Sequence, residues 1–452
     1  MIETKNYREL KQTVKELYSS TDKQNKKILK ETYKELTKIH SENNFSEYSL
    51  YKEIKSMQHH FSGNIDCLIA RCVAERVWKS IKKLLFSNGK IVHFKKYGDL
   101  ESLEGKNNTM GIRFKHNTLI WNGLKIRVKI DYSNPYEYQA MQDEICYCRI
   151  KCKFVRGEYK YYLQLILKNT PPLRINKYGE LKRDIGNGNV GLDIGTQSIA
   201  IVSNTDVKLL ELSDRVNSIE KEKRKLLRYL DRSRRANNPD NFNENGTNKK
   251  QGTKKVTWIK SKKYIKAQNQ LKELYRKQAD VREYQHQQMS NHILSLGDVI
   301  KVETMNYKGL QSKVKKTTIN EKTCKYNKKK RFGKSLGNKA PSKLLKLLDN
   351  KLKYFGKELK KVNTREVKAS QYNHLNGEYN KKKLSQRWND LIGVKVQRDL
   401  YSAFLIQHVN DDLKSINQEG CAKDFEKFIV LHNKEIERLN NMELNLALKN
   451  VM

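Results

Sequence analysis

Val190-Gly191-Leu192-Asp193-Ile194-Gly195-Thr196-Gln197-Ser198-Ile199-Ala200-Ile201-Val202 is an apolar strand that ends on a carboxylate, turns through glycine and resumes as a hairpin partner. Asp193 is the residue to follow, because an acid closing a buried strand is either a turn residue or a placed ligand. Two further acids occur downstream in matching frames. Glu303 ends Val299-Ile300-Lys301-Val302-Glu303, and Asp399 lies in Gln397-Arg398-Asp399-Leu400-Tyr401-Ser402-Ala403. Taken singly, each has an ordinary reading: a turn acid, a solvated strand end, a helix N-terminal acid. Taken together and in order, they form a constellation.

The chain of 452 residues is long enough for two or three domains with proper cores. Its 37% hydrophobic content supports folding despite 31% charged residues. Lys and Arg number 92 against 50 Asp and Glu, a formal net charge of +42. Such an excess repels itself unless a polyanion neutralises it, and nucleic acid is the usual one. No apolar run reaches transmembrane length and no signal-peptide pattern is present, so no membrane partner and a cytoplasmic, nucleoid-associated prokaryotic location are expected. Seven cysteines show no paired-motif spacing. Cys146, Cys148 and Cys152 alternate with Ile150 and Phe154 on one strand face, which reads as buried small hydrophobes rather than a metal or disulfide site.

Residues from about 7 to 90 carry three apolar stripes at the helical period: Leu10, Val14 and Leu17; Ile28, Leu29, Tyr33, Leu36 and Ile39; and a run from Ile65 to Leu85. From about 91 to 173 the period switches to two, with clean alternation over Leu124–Ile130, Ile145–Phe154 and Tyr159–Ile166. That pattern predicts a small antiparallel, barrel-like β domain, and Asn169-Thr170-Pro171-Pro172 marks its boundary. Strands are expected at 189–195, 198–204 and 207–212, then basic helices at 213–236 and 256–296, then a strand at 299–303. A stretch from Asn338 to Leu348 that leads into a helix, a short strand at 360–363, a helix from Val394 to His408 and an amphipathic helical tail at 411–447 complete the reading.

The β-β-β-α-β order, with an Asp in the first strand, a Glu ending a later one and an Asp beside a helix, resembles the RuvC version of the RNase H-like fold. That chemistry uses two Mg²⁺ ions roughly 4 Å apart to clamp the attacking water and the leaving 3′ oxygen of a phosphodiester. Hard divalent ions prefer carboxylate oxygens. On this reading Asp193 bridges two Mg²⁺ ions, with Glu303 and Asp399 each holding one.

Gly191-Leu192-Asp193-Ile194-Gly195, Val302-Glu303-Thr304-Met305-Asn306 and Arg398-Asp399-Leu400-Tyr401-Ser402-Ala403 further resemble the three catalytic blocks of the TnpB family. These are transposon-encoded RNA-guided DNA endonucleases related to the compact type V CRISPR effectors. The similarity runs from about residue 110 to 406 and includes Lys308-Gly309-Leu310 and Arg331-Phe332-Gly333. It implies an α+β multidomain fold: a helical recognition lobe (1–90), a β-barrel wedge-like domain (91–187) and a RuvC-like nuclease domain (188–363). A degenerate knuckle (364–393), a third RuvC block (394–410) and a helical C-terminal tail (411–452) follow. Implied partners are a guide RNA and a target double-stranded DNA, read beside a short flanking motif. Arg331, Lys334, Ser370, Gln371, Arg387 and Arg398 are the implied nucleic-acid contacts. The basic helices at 213–296 are expected to line the duplex channel, and some of the 24 Tyr to stack on unpaired bases.

Two departures stand out. The family's zinc knuckle survives only as a frame, Ala369-Ser370-Gln371-Tyr372-Asn373-His374-Leu375-Asn376-Gly377 and Asn389-Asp390-Leu391-Ile392-Gly393. Asn373, Asn376, Asn389 and Ile392 occupy the four sulfur positions, and amides and isoleucine cannot replace thiolates around zinc. A zinc-free knuckle packed around Trp388, Tyr372 and Tyr379 is therefore expected. The family also opens on a barrel strand, whereas this chain opens on helix-like sequence, as if the start were truncated or that strand supplied elsewhere.

Competing readings remain. A guide-dependent repressor of the same family would be expected to lose acids, and all three positions here are acidic. An accessory protein that binds RNA structure is a further class. The Gly191–Ser198 stretch is also close to the phosphate-binding turn of actin-like carbohydrate kinases. Those enzymes carry it at the N-terminus, and the +42 charge is odd for a sugar enzyme.

Overall fold

Period-two runs become strands and helical stripes become helices in a chain that forms two compact units, residues 1–172 and 173–452. The computed structural model describes all residues except 1–4, 18–21, 87–90, 96–97, 177, 245, 250–255, 315–316, 322–323, 325–326, 328–331, 384, 443–445 and 450–451.

The first unit contains α1 (Lys5–Leu17), α2 (Lys23–Glu42), α3 (Glu47–His60), α4 (Cys67–Phe86), β1 (Ser102–Glu104), β2 (Arg113–Lys115), β3 (Thr118–Trp121), β4 (Leu124–Arg127), α5 (Pro135–Ala140), β5 (Ile145–Val155) and β6 (Glu158–Leu167). Helix α4 serves two cores. Trp78, Ile81 and Leu85 pack with Tyr7, Val14 and Leu36, while Ile69 and Val73 pack with Ile112, Phe114, Leu119 and Cys148. Helix α3 has no counterpart among the apolar stripes because it buries no residue.

The expected barrel is corrected by the strand pairing. Among the described residues, β1-β5-β6 and β2-β3-β4 form two separate three-stranded sheets, and no barrel closes. Closure needs strands long enough to tilt and wrap. Strands β2 to β4 span three or four residues, and every residue of β4 is exposed. Alternation through Ile130 implies an inward face, yet Leu124 and Ile126 are each 51% exposed. All seven cysteines are free, with Cys148 buried and Cys146 and Cys152 half-buried.

The second unit continues with β7 (Asn189–Ile194), β8 (Ser198–Ser203), β9 (Val207–Glu211), α6 (Val216–Ala236), α7 (Lys262–Leu296), β10 (Val299–Glu303), α8 (Tyr307–Leu310), α9 (Gly333–Lys339), α10 (Pro341–Lys353), β11 (Lys360–Val362), α11 (Thr364–Val367), β12 (Tyr372–Asn373), β13 (Glu378–Tyr379), β14 (Trp388–Leu391), β15 (Val394–Gln397), α12 (Arg398–Gln407), α13 (Gln418–Asn440) and α14 (Leu446–Lys449). Its sheet has the order β11-β10-β7-β8-β9. Strands β7, β8 and β9 run antiparallel, and β10 and β11 run parallel to β7.

Alternation decides what each face of this sheet meets. Leu192, Ile194, Ile300 and Val302 face α7 and α10 through Ile293, Leu344, Leu348 and Leu352. Ala200, Val202, Leu209 and Val362 face α12 and α13 through Ala403, Phe404 and Phe428. Every residue of β8 is buried, as a strand covered on both sides requires. Gly191 is what lets α12 lie on β7. A Cβ there would stand 2.0 Å from the Ala403 carbonyl and 2.5 Å from the Gln407 nitrogen. The expected helix from Val394 is instead a strand followed by a helix. Residues Val394–Gln397 pair with β14, and the Gln397 side chain accepts from the Leu400 N–H at 2.7 Å, capping α12.

Candidate active site

Asp193 precedes the last residue of β7, on the α12 face opposite Leu192 and Ile194. Glu303 ends β10, one residue beyond the Val302–Leu192 pair of the parallel ladder, so it stands beside Asp193 on the neighbouring strand. Asp399 lies in the first turn of α12, the helix seated on Gly191. Three separate segments therefore bring their acids to one end of one sheet face. All three residues are half-buried, keeping a side open to solvent.

Their electrostatics are those of crowded like charges. Burial, then the charges of Asp399 and Glu303, push the Asp193 carboxyl well above its ordinary 3.8, against the pull of Arg398. Burial raises Asp399 too, opposed by Arg387, Arg398 and a hydrogen bond from Gln397. Burial raises Glu303, which accepts a compensating bond from the Ala369 backbone N–H. Among the described residues, no three His, Cys, Asp or Glu side chains close around a single point as a ready-made cage. A cluster of hard oxygens nonetheless suits Mg²⁺, which keeps waters and substrate oxygens in most of its positions. The donor chemistry of Asp193, Glu303 and Asp399 would fit a divalent cation.

Four of the expected nucleic-acid contacts belong to segments at this centre. Arg387 and Arg398 act electrostatically on Asp399, and Ser370 and Gln371 directly follow the Ala369 amide that holds Glu303. Arg398 also donates to the Lys383 carbonyl at 3.2 Å. Lys334 is held elsewhere, 2.9 Å from Glu220. Arg331 lies outside the described residues.

The knuckle frame is two small hairpins, β12–β13 and β14–β15. Asn373 and Asn376 spend their amides on turn bonds: Asn373 Oδ1 accepts from the Leu375 N–H at 3.1 Å, and Asn376 Oδ1 from the Glu378 N–H at 3.1 Å. Asn389 is buried with both amide atoms unpartnered among the described residues, and Ile392 is 86% exposed. This donor set offers no thiolate or imidazole to zinc at those positions. The Tyr372 and Tyr379 rings pack 4.9 Å apart, as expected of the frame. Trp388 does not join them. Its ring meets His432 edge-on at 6.4 Å, and its indole N–H donates to the Met452 carbonyl at 2.8 Å, tying the second hairpin to the C-terminal segment.

Two neighbours of the centre escape sequence reading. Among the described residues the buried Tyr307 hydroxyl has no hydrogen-bond partner, and burial together with the Asp193 charge pushes its pKa up. Lys301 shares the Glu303 face of β10, and its ammonium donates to the Gln407 carbonyl at 3.1 Å and to the Val409 carbonyl. This cation at the C-terminal end of α12 locks the helix to β10. A lysine at a core-facing strand position is the available signal for it. Nothing local marks Tyr307.

No protein-family model matches the chain, and no curated protein matches it. Among solved structures it is similar to one described as a cryo-EM structure of a CRISPR-Cas12f ternary complex. The two share 15% identity over 90% of this chain and 82% of that chain, with a TM-score of 0.29.

Proposed function

We propose that this chain is an RNA-guided, Mg²⁺-dependent DNA endonuclease with one two-metal site built from Asp193, Glu303 and Asp399. The observation that carries the cleavage chemistry is the convergence of these three acids, on β7, β10 and α12, with the ionised form of Asp193 disfavoured by burial and then by the other two. The β-β-β-α-β order in a sheet arranged β11-β10-β7-β8-β9 supports an RNase H-like core. RNA guidance rests on the resemblance of the three sequence blocks to the TnpB family and on the +42 charge.

When bound, Mg²⁺ would supply Lewis acidity and an activated water at the scissile phosphate. The protein's part is positional. Asp193, Glu303 and Asp399 would hold the metal, and Asp193 is the acid that feels both of the others. Arg387 and Arg398 favour the ionised form of Asp399, and the Ala369 N–H favours that of Glu303. Gly191 and Lys301 fix the helix carrying Asp399 against the strands carrying its partners.

The test is purification with co-expressed flanking RNA, followed by incubation with guide-matched plasmid and Mg²⁺, beside an Asp193→Ala control. RNA copurification with cleavage by the native protein alone supports the reading. RNA-dependent binding without cleavage points to a silent repressor, and RNA-independent ATP turnover with a polyol to a sugar kinase. Absence of both bound RNA and acid-dependent cleavage overturns it.

A further inference from the structure

Away from the three acids, a cavity of about 520 Å³ opens between α6, α7 and α9, lined by Glu220, Lys223, Tyr275, Gln278, Arg282 and Lys334. Its floor is a built polar network. Lys223 is only 5% exposed. Its ammonium donates to Gln278 Oε1 at 2.7 Å and to Glu220 Oε2 at 3.2 Å, and lies 4.1 Å from the centre of the Tyr275 ring. Gln278, equally buried, donates onward to Asn338 Oδ1 at 3.0 Å. These residues come from three helices far apart in sequence, so the arrangement is a tertiary construction rather than a solvated helix face.

The charges around the cavity do not balance. Arg282 donates to the Gly337 carbonyl at 2.7 Å and the Asn338 carbonyl at 3.4 Å, but among the described residues its buried Nε–H has no partner. Among the described residues no carboxylate pairs with it, and the adjacent Glu283 is paired with Lys343. Lys334, on the rim, reaches Glu220 at 2.9 Å, and Arg224 approaches the same carboxylate at 3.5 Å from outside the cavity. One carboxylate thus faces three lining cations. A buried N–H of a cation left without an acceptor costs stability until one is supplied. A tetrahedral oxyanion offers several acceptors at once and pairs well with a guanidinium.

We propose that this cavity is a phosphate seat that takes a backbone phosphodiester of bound nucleic acid against Arg282 and Lys334, with Lys223 as its buried positive base. The occupant is chosen by charge. The chain carries +42, and α6 and α7 are themselves rich in Lys and Arg. This deepens the nucleic-acid-binding part of the reading above and is independent of the cutting chemistry.

The test measures binding of a short fluorescent single-stranded RNA and of a short DNA duplex across a salt series. For Lys334→Gln and Arg282→Gln, affinity falls about three- to tenfold. For each phosphate no longer neutralised, the slope of log K on log salt shrinks by about 0.7 with the single strand or about 0.9 with the duplex. The probe whose slope changes identifies the occupant. Glu220→Gln tightens binding of the same probe, because it removes the competing carboxylate. A purely structural network gives another pattern: Glu220→Gln weakens binding in parallel with Arg282→Gln, and both lower the melting temperature. That pattern, or unchanged slopes for both probes, overturns the seat, as does a native protein that binds neither. Rim residue Lys334 keeps the test readable should Arg282→Gln unfold. Native protein that binds but never cleaves removes the nuclease reading and leaves the seat standing.

Discussion

Two regions of the second unit bury charge, and they do so in opposite ways. At the end of β9, Lys339 and Glu211 are both buried and meet at 2.6 Å. The same ammonium donates to the Ser213 carbonyl at 3.1 Å and Asn217 Oδ1 at 2.9 Å, while Asn217 returns its amide to Glu211 at 3.0 Å. Every charge there is answered from within. At the ends of β7 and β10 and the start of α12, three carboxylates share one face, and burial, then the charges of Asp399 and Glu303, push the Asp193 carboxyl well up. Burial alone therefore does not separate scaffold from site. What separates them is whether the protein satisfies the charge itself.

Removing the charge at the unsatisfied centre should break this contrast most strongly. Asp193→Asn is expected to lower metal-dependent cleavage about 10⁴-fold, on the order of 5 kcal/mol in the barrier. In the metal-free protein it should instead raise the melting temperature by about 2–4 °C at neutral pH. The direction follows from linkage. A carboxyl whose folded pKa is raised contributes its stability fully below its unfolded value and loses it as pH climbs through the folded value. The gap between variant and native protein therefore closes in acid and widens toward neutral pH. Saturating Mg²⁺ should close it again by stabilising only the native protein. Scanning calorimetry over pH, with and without Mg²⁺, reads this directly. A variant less stable than the native metal-free protein at neutral pH would place Asp193 among the scaffold charges.

The satisfied region should respond with the opposite sign. Lys339→Met leaves Glu211 buried without its cation and should cost about 3–5 kcal/mol, seen as a drop in the denaturant midpoint. Cleavage per folded molecule should stay near native. A loss of activity without a loss of stability would transfer Lys339 to the functional side of the comparison.

This contrast also explains what the sequence made legible. The acids could be read because each closes or opens an element whose apolar frame is local: Val190–Ile194, Val299–Val302 and the helix after Gln397. The five-stranded sheet could be read for the same reason. Barrel closure could not, because it depends on how strands of different length meet, and β4 is exposed along its whole length. Helix α3 could not, having no buried stripe. The Val394 strand reads as helix because its apolar spacing runs on into α12, and only the pairing with β14 and the Gln397 cap separate them. Lys223 and Gln278 are 55 positions apart, and no local pattern announces that they meet.

A finer boundary runs through Tyr307, whose buried hydroxyl is unpartnered among the described residues yet lies within reach of the Asp193 charge. If it positions that carboxylate when the centre is engaged, Tyr307→Phe should lower cleavage about tenfold, roughly 1.4 kcal/mol. It should leave the metal-free protein as stable or slightly more so, since an unpaired buried hydroxyl is removed. Unchanged cleavage with raised stability would make it an ordinary core ring with a misplaced polar tip. Turnover measured beside thermal unfolding separates the two.

The smallest effect is expected where neither charge nor metal is involved. Leu391 pairs with Val394 across a two-residue turn in which Ile392 (φ 52°) and Gly393 (φ 82°) both lie in the left-handed region. Such hairpin turns favour Asn-Gly, and a β-branched residue there is strained. Ile392 is also 86% exposed, so its side chain returns little burial for that strain. Ile392→Asn should therefore stabilise the protein by about 0.5–1 kcal/mol. Cleavage should be unchanged, because the hairpin is tied to the C-terminal segment through Trp388 and not through a ligand at position 392. If stability rises but nucleic-acid affinity drops, the exposed isoleucine touches nucleic acid and is retained at the expense of the turn. The second hairpin would then join the three acids as a place where the fold carries strain for function.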